Sequence, residues 1–592
     1  MTGHVRKVAI SLAVAAMVAS GVACRSGREA DSGKADLKVR TTSEADLKVR
    51  TTSGGGGGDL RVSLRSDPQS FNWITRRDSS AYLVTLLTQA WLVRVNRLTD
   101  TVEPWLAESW SASPDGLRYT IKLRPNVTFA DGAPFTSADV VFSLAAAYDE
   151  KGGSMIADSM RVGGKNLTAE AVDPATVVVT FPGPFGPGLR LFDNLPILPR
   201  HKLRDATGAD GWLAAAWRTS ANPANLTGLG PFTIAEYTAG QRLVFARNPR
   251  YFRKDPNGVQ LPLVDRVVVE IVADQSAETL RLESGQIDIS ANEIRLEDYA
   301  IFKRAADASR LKLYDVGVAV NADSLWFNLK PGAFAGDPRA AWIQRDELRQ
   351  AISLAVDRKV FVDTVYLGAA VPVFGPVTPG NKAWYVPELQ TAHDPAKAKG
   401  LLASIGLTDR NGDGRLEDAA NRPARFTILT AKGQTALERG VAVVRDELAK
   451  IGLTVDTVTL DANALVGQFL GGKPYDAVYF GLIPSDTDPA LILDFWLSSG
   501  GSHLWNPEQK SPATPWERQI DQLMARQAAA LDPGERRTLF TEAQKVFSEH
   551  APMLYFAAPR IYVATSARVL NVDPMLRRPQ ALWSPDTIAL RR

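Results

Sequence analysis

Short apolar runs of strand type alternate with amphipathic helical patterns along most of the chain. The predicted strands are DLRVSL from Asp59, TVVVTF from Thr176, DRVVVEIV from Asp265 and RFTILT from Arg425. The predicted helices are AYLVTLLTQAWL from Ala81, ETLRLESG from Glu278 and RDELRQAISLAVDRKVFVDTVYLG from Arg345. This alternation favours an α/β or α+β architecture in which helices cover sheets.

The pattern from Arg345 predicts one long helix with a single apolar face. Leu348, Ile352, either Ala355 or Val356, and Val360 recur at helical spacing, with charged residues between them. Such a face is typical of core packing. We therefore expect a continuous helix that covers a sheet.

The N-terminal pattern differs from the rest and predicts an export signal over residues 1–23. Arg6 and Lys7 precede an apolar run, and small residues follow it up to Cys24. The run is too short for a stable membrane-spanning helix, which needs about 20 residues. Cys24 is the only cysteine, so we expect it to be the lipidated residue of an exported, membrane-anchored protein. Gly21 departs from the usual lipoprotein motif, and the alternative is a chance cysteine after an ordinary signal.

Residues 24–58 form a segment that cannot build a core. ADLKVRTTS occurs at 35–43 and again at 45–53, and five glycines follow at 54–58. A mostly polar duplication with a glycine run offers little apolar area against the entropy of ordering. We expect a flexible tether that holds the folded body away from a membrane.

Charge and histidine content exclude several classes of function. The formal net charge is +3, and no lysine or arginine cluster is interleaved with aromatic residues, so nucleic acid is not an expected partner. None of the five histidines belongs to an HExxH motif or lies near a GxSxG motif. We therefore expect no catalytic residues, no cofactor and no metal site, and a secreted hydrolase is disfavoured.

Three segments match known ligand-binding motifs only in part. GQFLGGKP at 467–474 lacks the hydroxyl residue of a phosphate-binding loop, and GLG at 228–230 opens no helix, so we interpret both as turns. DRNGDGRLED at 409–418 has the start of a calcium loop, but Ala420 stands where the bidentate glutamate belongs. A tight acidic turn is favoured there, and calcium binding stays open.

Residues 105–143 contain a closely spaced series of short sequence motifs. They contain A-x-S-W, then D-G, then Y-T-x-x-L-R, then V-x-F-x-D-G-x-P-F-T-x-x-D-V-x-F-S. This block resembles the signature of the family 5 extracellular solute-binding proteins, the peptide and nickel type that serves ABC importers. Later blocks follow in the family's order, including GLGPFTIAEY, LESGQIDIS and LRQAISLAVDRK. The paired Asp-Gly turns at 115–116 and 131–132 predict a β-hairpin between them.

The resemblance implies a two-lobed periplasmic-binding-protein-like fold with a hinge. Lobe I would comprise 59–104, 228–316 and 556–592, with 105–227 as an extra subdomain, and lobe II would comprise 317–555. The resemblance also implies that an oligopeptide or similar elongated polar solute is captured by hinge closure and delivered to an ABC permease and its ATPase subunits. We expect a monomer. The alternative is a sensing or docking receptor of the same fold that does not feed transport.

Candidate ligand contacts are aromatic and polar residues in loops that the resemblance places at the cleft. They are Asn72, Trp73 and Asp78 in the first lobe and Trp326, Phe480, Ser485, Asp486, Trp505 and Asn506 in the second. For each of them the alternative is ordinary packing or a solvated turn.

One element departs from the peptide binders that the chain resembles. Their W-x-x-D element pairs an aspartate with the peptide's α-ammonium, but alignment on Pro489 puts Leu482 and Ser485 at the two signature positions. A buried ammonium without a carboxylate costs several kcal/mol. We therefore predict that a free amino terminus is not required. Asp486 would substitute if the loop shifts by one residue.

Overall fold

The computed structural model describes residues 57–76, 78–481, 486–507 and 509–591. Cys24, the predicted signal and residues 24–56 of the predicted tether lie outside the described residues, as does Ser485. Within the described ranges, no helix has both the length and the apolar character needed to cross a membrane.

The strands alternate with helices, as the sequence predicts. The strands are β1 Asp59–Leu64, β2 Val93–Asn96, β3 Thr101–Pro104, β4 Ala107–Ala112, β5 Arg118–Leu123, β6 Thr168–Asp173, β7 Thr176–Thr180, β8 Phe232–Thr238, β9 Arg242–Arg247, β10 Arg266–Ile271, β11 Ile289–Ser290, β12 Leu311–Val318, β13 Ser324–Phe327, β14 Ala370–Pro372, β15 Arg425–Ala431, β16 Thr454–Leu460, β17 Ala477–Phe480, β18 Met553–Tyr555, β19 Ala557–Ser566, β20 Val569–Leu570 and β21 Ala589–Leu590. The helices are α1 Ser79–Thr88, α2 Ser137–Tyr148, α3 Arg200–Leu203, α4 Trp212–Ala216, α5 Gln275–Glu283, α6 Tyr299–Asp307, α7 Asp346–Ala355, α8 Arg358–Tyr366, α9 Pro395–Ser404, α10 Thr435–Ala449, α11 Ala462–Leu470, α12 Leu493–Trp496, α13 Pro515–Ala529 and α14 Pro533–His550.

Two mixed sheets form the centres of the molecule. The first has the order β12-β19-β11-β1-β10-β9-β8, and the second has the order β16-β15-β17-β13-β18. In the first, β1 runs parallel to both neighbours, with Val62 opposite Val269 and Ile289. In the second, all four residues of β13 and all four of β17 are buried. Strands buried on both faces consist mainly of apolar residues, as these two do, but neither is among the strands predicted from the sequence.

A separate four-stranded sheet, β4-β5-β7-β6, carries the start of the signature block. The β4–β5 hairpin turns at Gly116, which has a φ of +69°. The predicted hairpin between the two Asp-Gly turns is wrong. The turn at Gly132 closes only an isolated bridge from Thr128 to Pro134, while β5 pairs with β7 instead.

The single long helix predicted from Arg345 is two helices, α7 and α8. Asp357 caps the second helix, because its carboxylate accepts hydrogen bonds from the backbone N–H groups of Lys359 at 2.8 Å and Val360 at 3.2 Å. An aspartate that satisfies free amides at a helix start favours a break over continuation.

The predicted helix from Ala81 also ends early, at Thr88. The Thr88 carbonyl accepts the backbone N–H of Gly230 at 3.0 Å. A Cβ at Gly228 would lie 2.0 Å from the same carbonyl oxygen, so only glycine allows this approach. The GLG sequence is therefore a packing loop, as predicted.

The other two motifs are also local turns. Asp409 accepts hydrogen bonds from the backbone N–H groups of Gly412 at 2.7 Å and Gly414 at 3.0 Å, which closes the acidic turn before β15. The GQFLGGKP motif contains the end of α11, and the chain turns at Gly471 and Gly472.

The chain passes between the two main sheets several times. It crosses from β12 to β13 and returns from β18 to β19. In addition, β14 pairs with β19, with Ala370 opposite Pro559. A strand inside the range predicted for lobe II is therefore part of the first sheet.

Candidate functional site

The three candidate residues of the first lobe lie together in the loop and cap before α1. Asn72 is buried, and its Oδ1 accepts the backbone N–H of Ile74 at 3.1 Å. Asp78 is the N-cap of α1 and accepts the backbone N–H of Ala81 at 2.8 Å. Burial raises the pKa of Asp78. Asn72 and Asp78 thus have local structural roles, and ligand contact by either stays a prediction.

Most candidate residues of the second lobe are packed in its interior. Trp326, Phe480 and Trp505 belong to its hydrophobic core, and the Trp326 ring meets Phe469 edge-on at 5.4 Å between centroids. Asn506 is buried as well and donates through Nδ2 to Gln509 at 2.9 Å. Ordinary packing accounts for these positions, and their contact with a ligand is not tested.

Glu517 organises the polar side of this interior. It accepts hydrogen bonds from Trp505 Nε1 at 3.3 Å and Gln509 Nε2 at 2.9 Å, and His503 Nε2 lies 3.2 Å away. Burial acts to raise the pKa of Glu517, but the bonds from His503 and Gln509 outweigh it and lower the pKa to about 2. The carboxylate therefore stays charged and fixes the loop that carries Trp505.

Asp486 lies at the centre of a buried ionic contact. Its side chain is 3% exposed, and its Oδ1 accepts hydrogen bonds from Arg190 Nε at 3.1 Å and Nη2 at 2.7 Å. Arg190 belongs to the short 3-10 helix Gly188–Asn194, which follows the four-stranded sheet. The same guanidinium also binds Asp100 Oδ1 at 2.8 Å and Thr487 Oγ1 at 2.9 Å. Segments far apart in sequence are joined here by charge-assisted hydrogen bonds.

Two further arginines extend this contact into the C-terminal segment. Arg577 Nη1 lies 3.6 Å from Asp486 Oδ2. Arg97 Nη1 donates to the carbonyl of Arg577 at 3.1 Å, and its Nη2 donates to the Tyr82 hydroxyl at 2.7 Å. The Tyr82 ring meets that of Trp73 at 5.1 Å between centroids. A continuous series of contacts therefore connects Trp73 to Asp486.

The electrostatics of this cluster keep its central pair charged. Burial acts to raise the pKa of Asp486, but the charges of Arg577 and Arg190 outweigh it, and the net shift is downward. Burial also acts to lower the pKa of Arg190, and Asp486 and Asp100 reverse that shift. Burial raises the pKa of the neighbouring Asp193, which accepts the backbone N–H of Val95 at 3.0 Å.

The loop that carries Asp486 is fixed on its other side by residues of the predicted second lobe. Arg536 of α14 donates to both carboxylate oxygens of Asp488, at 3.0 and 2.6 Å. Asn381 Nδ2 donates to the Thr487 carbonyl at 2.9 Å. Asp486 is thus presented to Arg190 by a loop that is itself held by a bidentate ion pair.

Backbone contacts accompany the ionic contact. The N–H of Gly186 donates to the carbonyl of Ala528 at 2.7 Å. A Cβ at Gly186 would lie 2.3 Å from the Ala530 carbonyl oxygen, so this approach requires glycine. The segment after β7 and the end of α13 are therefore in direct contact.

Sequence reasoning named Asp486 as a candidate ligand contact, which stays a prediction, and it missed the arginines that Asp486 contacts. Arg97, Arg190 and Arg577 belong to no motif and come from three separate segments. The position of Asp486 near Pro489 was the only signal for this site.

Comparison with known proteins identifies the chain's relatives. Residues 101–503 match the family model described as bacterial extracellular solute-binding proteins, family 5 Middle. The chain belongs to this family. Family 5 proteins are solute-binding proteins of ABC importers and are not enzymes.

Individual relatives are similar over nearly the whole chain. A probable ABC transporter-binding protein of Deinococcus radiodurans is 26% identical, covering 90% of this chain and 93% of the relative. The oligopeptide-binding protein AppA of Bacillus subtilis is 28% identical, covering 86% and 87%. The crystal structure of the substrate-binding protein CtaP of Listeria monocytogenes superimposes with a TM-score of 0.73 at 23% identity, covering 91% of this chain and 100% of that one. The mixed α/β fold of this family 5 protein is thus that of the periplasmic binding proteins.

Proposed function

We propose that this family 5 protein captures an oligopeptide or a similar elongated polar solute between two lobes and delivers it to an ABC permease. The observation that carries the proposal is the buried contact between Arg190 and Asp486, because it joins segments that belong to different predicted lobes. The name of the Bacillus relative supports a peptide as the solute.

The proposal includes the domain boundaries given by the sequence. Lobe I and its subdomain 105–227 supply Arg190, and lobe II supplies Asp486. The lobes move about a hinge, and closure brings the lobe surfaces that carry these two residues together, with the solute between the lobes. The permease detects the closed form.

The proposal also covers location. The signal at 1–23 exports the protein, lipid on Cys24 anchors it, and residues 24–58 keep the monomeric body clear of the membrane. Replacing Cys24 with Ser should release the protein from membranes, and a Ser variant that stays in the membrane fraction would contradict the anchor.

Binding and closure are tested together by calorimetry and small-angle scattering with a synthetic tetrapeptide library. We expect saturable binding together with a smaller radius of gyration, because ligand contacts both lobes only in the closed state. Absence of binding to the library, or binding without compaction, would count against peptide capture by closure.

A further inference from the structure

Three guanidinium groups converge on the contact around Asp486. Arg190 and Arg577 contact its two carboxylate oxygens, and Arg97 contacts the backbone of Arg577. Arg97 lies in the turn between β2 and β3, Arg190 lies in the 3-10 helix, and Arg577 lies in the C-terminal segment. All three positions fall in the predicted first lobe. Asp486 alone comes from the predicted second lobe.

The three arginines are matched by three carboxylates only while Asp486 is in place, because the other two are Asp100 and Asp193. Arg97 is half-buried and donates to two carbonyls and to the Tyr82 hydroxyl, and no salt bridge joins it to a carboxylate in the described part of the chain. Asp193 interacts with the charges of Arg577 and Arg97, and Asp100 binds Arg190 Nη2 at 2.8 Å. Removing Asp486 would therefore leave three arginines facing two carboxylates, with one positive charge unbalanced around the buried Arg190.

A buried cation without a partner carries a cost of several kcal/mol. In the closed molecule without ligand, Asp486 supplies the missing anion. When the lobes open, as the proposed function requires, Asp486 moves away with lobe II and water solvates the arginines. A solute that enters before reclosure then faces an exposed set of guanidinium groups.

We infer that Arg190 and Arg577 form a site for an anionic group of the solute, and that Asp486 occupies this site in the ligand-free molecule. For a peptide the group is a carboxylate, at the C terminus or on a side chain. Planar guanidinium groups match carboxylate geometry. An α-ammonium would instead meet the arginines' positive charge. This inference rests on the proposed function, and it specifies which charged end of the solute is recognised.

The first experiment uses a random tetrapeptide library without acidic side chains, prepared with free or acetylated amino ends and free or amidated carboxyl ends. Calorimetry should show that amidation weakens binding by about tenfold or more, as expected for a lost charge-assisted contact. Acetylation should change the affinity by less than about threefold.

Other outcomes separate failure of this inference from failure of peptide capture. Binding that is lost on acetylation, or that is indifferent to both ends, overturns the anion site and leaves peptide capture intact. Absence of binding in all four forms overturns peptide capture and the carboxylate assignment together.

The second experiment removes the carboxylate of Asp486, which occupies the proposed anion site in the ligand-free molecule. Asp486→Asn should strengthen binding of the library with free carboxylates by about threefold or more, because the competing carboxylate is gone. It should not strengthen binding of the amidated library. Loss of binding in this variant would overturn the inference, since it would show that Asp486 contacts the solute itself.

Two controls keep this test specific. Asp456→Asn removes a carboxylate from the exposed Arg425–Asp456 pair on neighbouring strands, and it should leave all four affinities unchanged. Arg190→Gln should weaken binding of the free-carboxylate library alone. Circular dichroism establishes that each variant is folded, and a folded Arg190 variant with unchanged affinity would also overturn the inference.

Discussion

Two buried aspartate–arginine pairs lie two residues apart on one loop and differ in what they join. Asp488 pairs with Arg536 of the same predicted lobe, whereas Asp486 pairs with Arg190 of the other. Both pairs have short distances and little exposure. The two pairs thus have the same chemistry and differ only in which segments they join. The Asp488–Arg536 pair fixes the loop within one predicted lobe, whereas the Asp486–Arg190 pair depends on the distance between the two predicted lobes.

The pair within the second lobe should matter most for stability. Asp488→Asn leaves Arg536 buried without a carboxylate in either lobe arrangement, so we expect the free energy of unfolding to fall by about 3–5 kcal/mol. Asp486→Asn should lower the free energy of unfolding by less, because in the proposed open form the arginines that it contacts would reach water. Urea denaturation measures both variants. Equal losses would show that the two pairs are equivalent.

Closure should be blocked by a side chain at Gly186. The Cβ of Gly186→Val would lie 2.3 Å from the Ala530 carbonyl oxygen, so the variant should stay open. We expect a larger radius of gyration and affinity for the peptide library lower by about tenfold or more. Gly183→Val is the matched control, because a Cβ there meets nothing within 4 Å. If both variants close and bind alike, this contact does not limit closure.

Acid should weaken the interlobe pair. The folded-state pKa of Asp486 lies below the ordinary value of 3.8, so its stabilisation is fully present above that value and is lost as the pH falls through the folded pKa. Scattering of the ligand-free protein between pH 5 and pH 2 should show opening in acid. The same titration of Asp486→Asn should lack this step, and an identical profile would assign the opening to other groups.

The smallest effect is expected for an exposed pair of the same kind. Arg425 on β15 and Asp456 on the neighbouring parallel strand β16 form an ion pair, with a distance of 2.6 Å between Nε and Oδ2 and side chains 59% and 40% exposed. Asp456→Asn should change the free energy of unfolding by at most about 1 kcal/mol, because water already solvates both charges. If Asp456→Asn lowered the free energy of unfolding as much as Asp488→Asn does, burial would not determine how much these ion pairs contribute to stability.

Much of the fold was predictable from local pattern. The strands predicted at Asp59, Thr176, Asp265 and Arg425 are all present, because buried strands require continuous apolar residues. The helix from Arg345 was predicted too long. Its apolar spacing continues past Val356, but the cap at Asp357 depends on local hydrogen bonds that periodicity does not report.

The candidate site was less predictable. The sequence by itself determined the family, through the letters of residues 105–143, and it pointed to Asp486 through its distance from Pro489. Only the tertiary structure decided that Arg190, 296 residues away, is the partner of Asp486. An ion pair needs no spacing or periodicity, since any arginine that the fold brings within reach satisfies the charge, so its partner is determined by the packing of the whole chain.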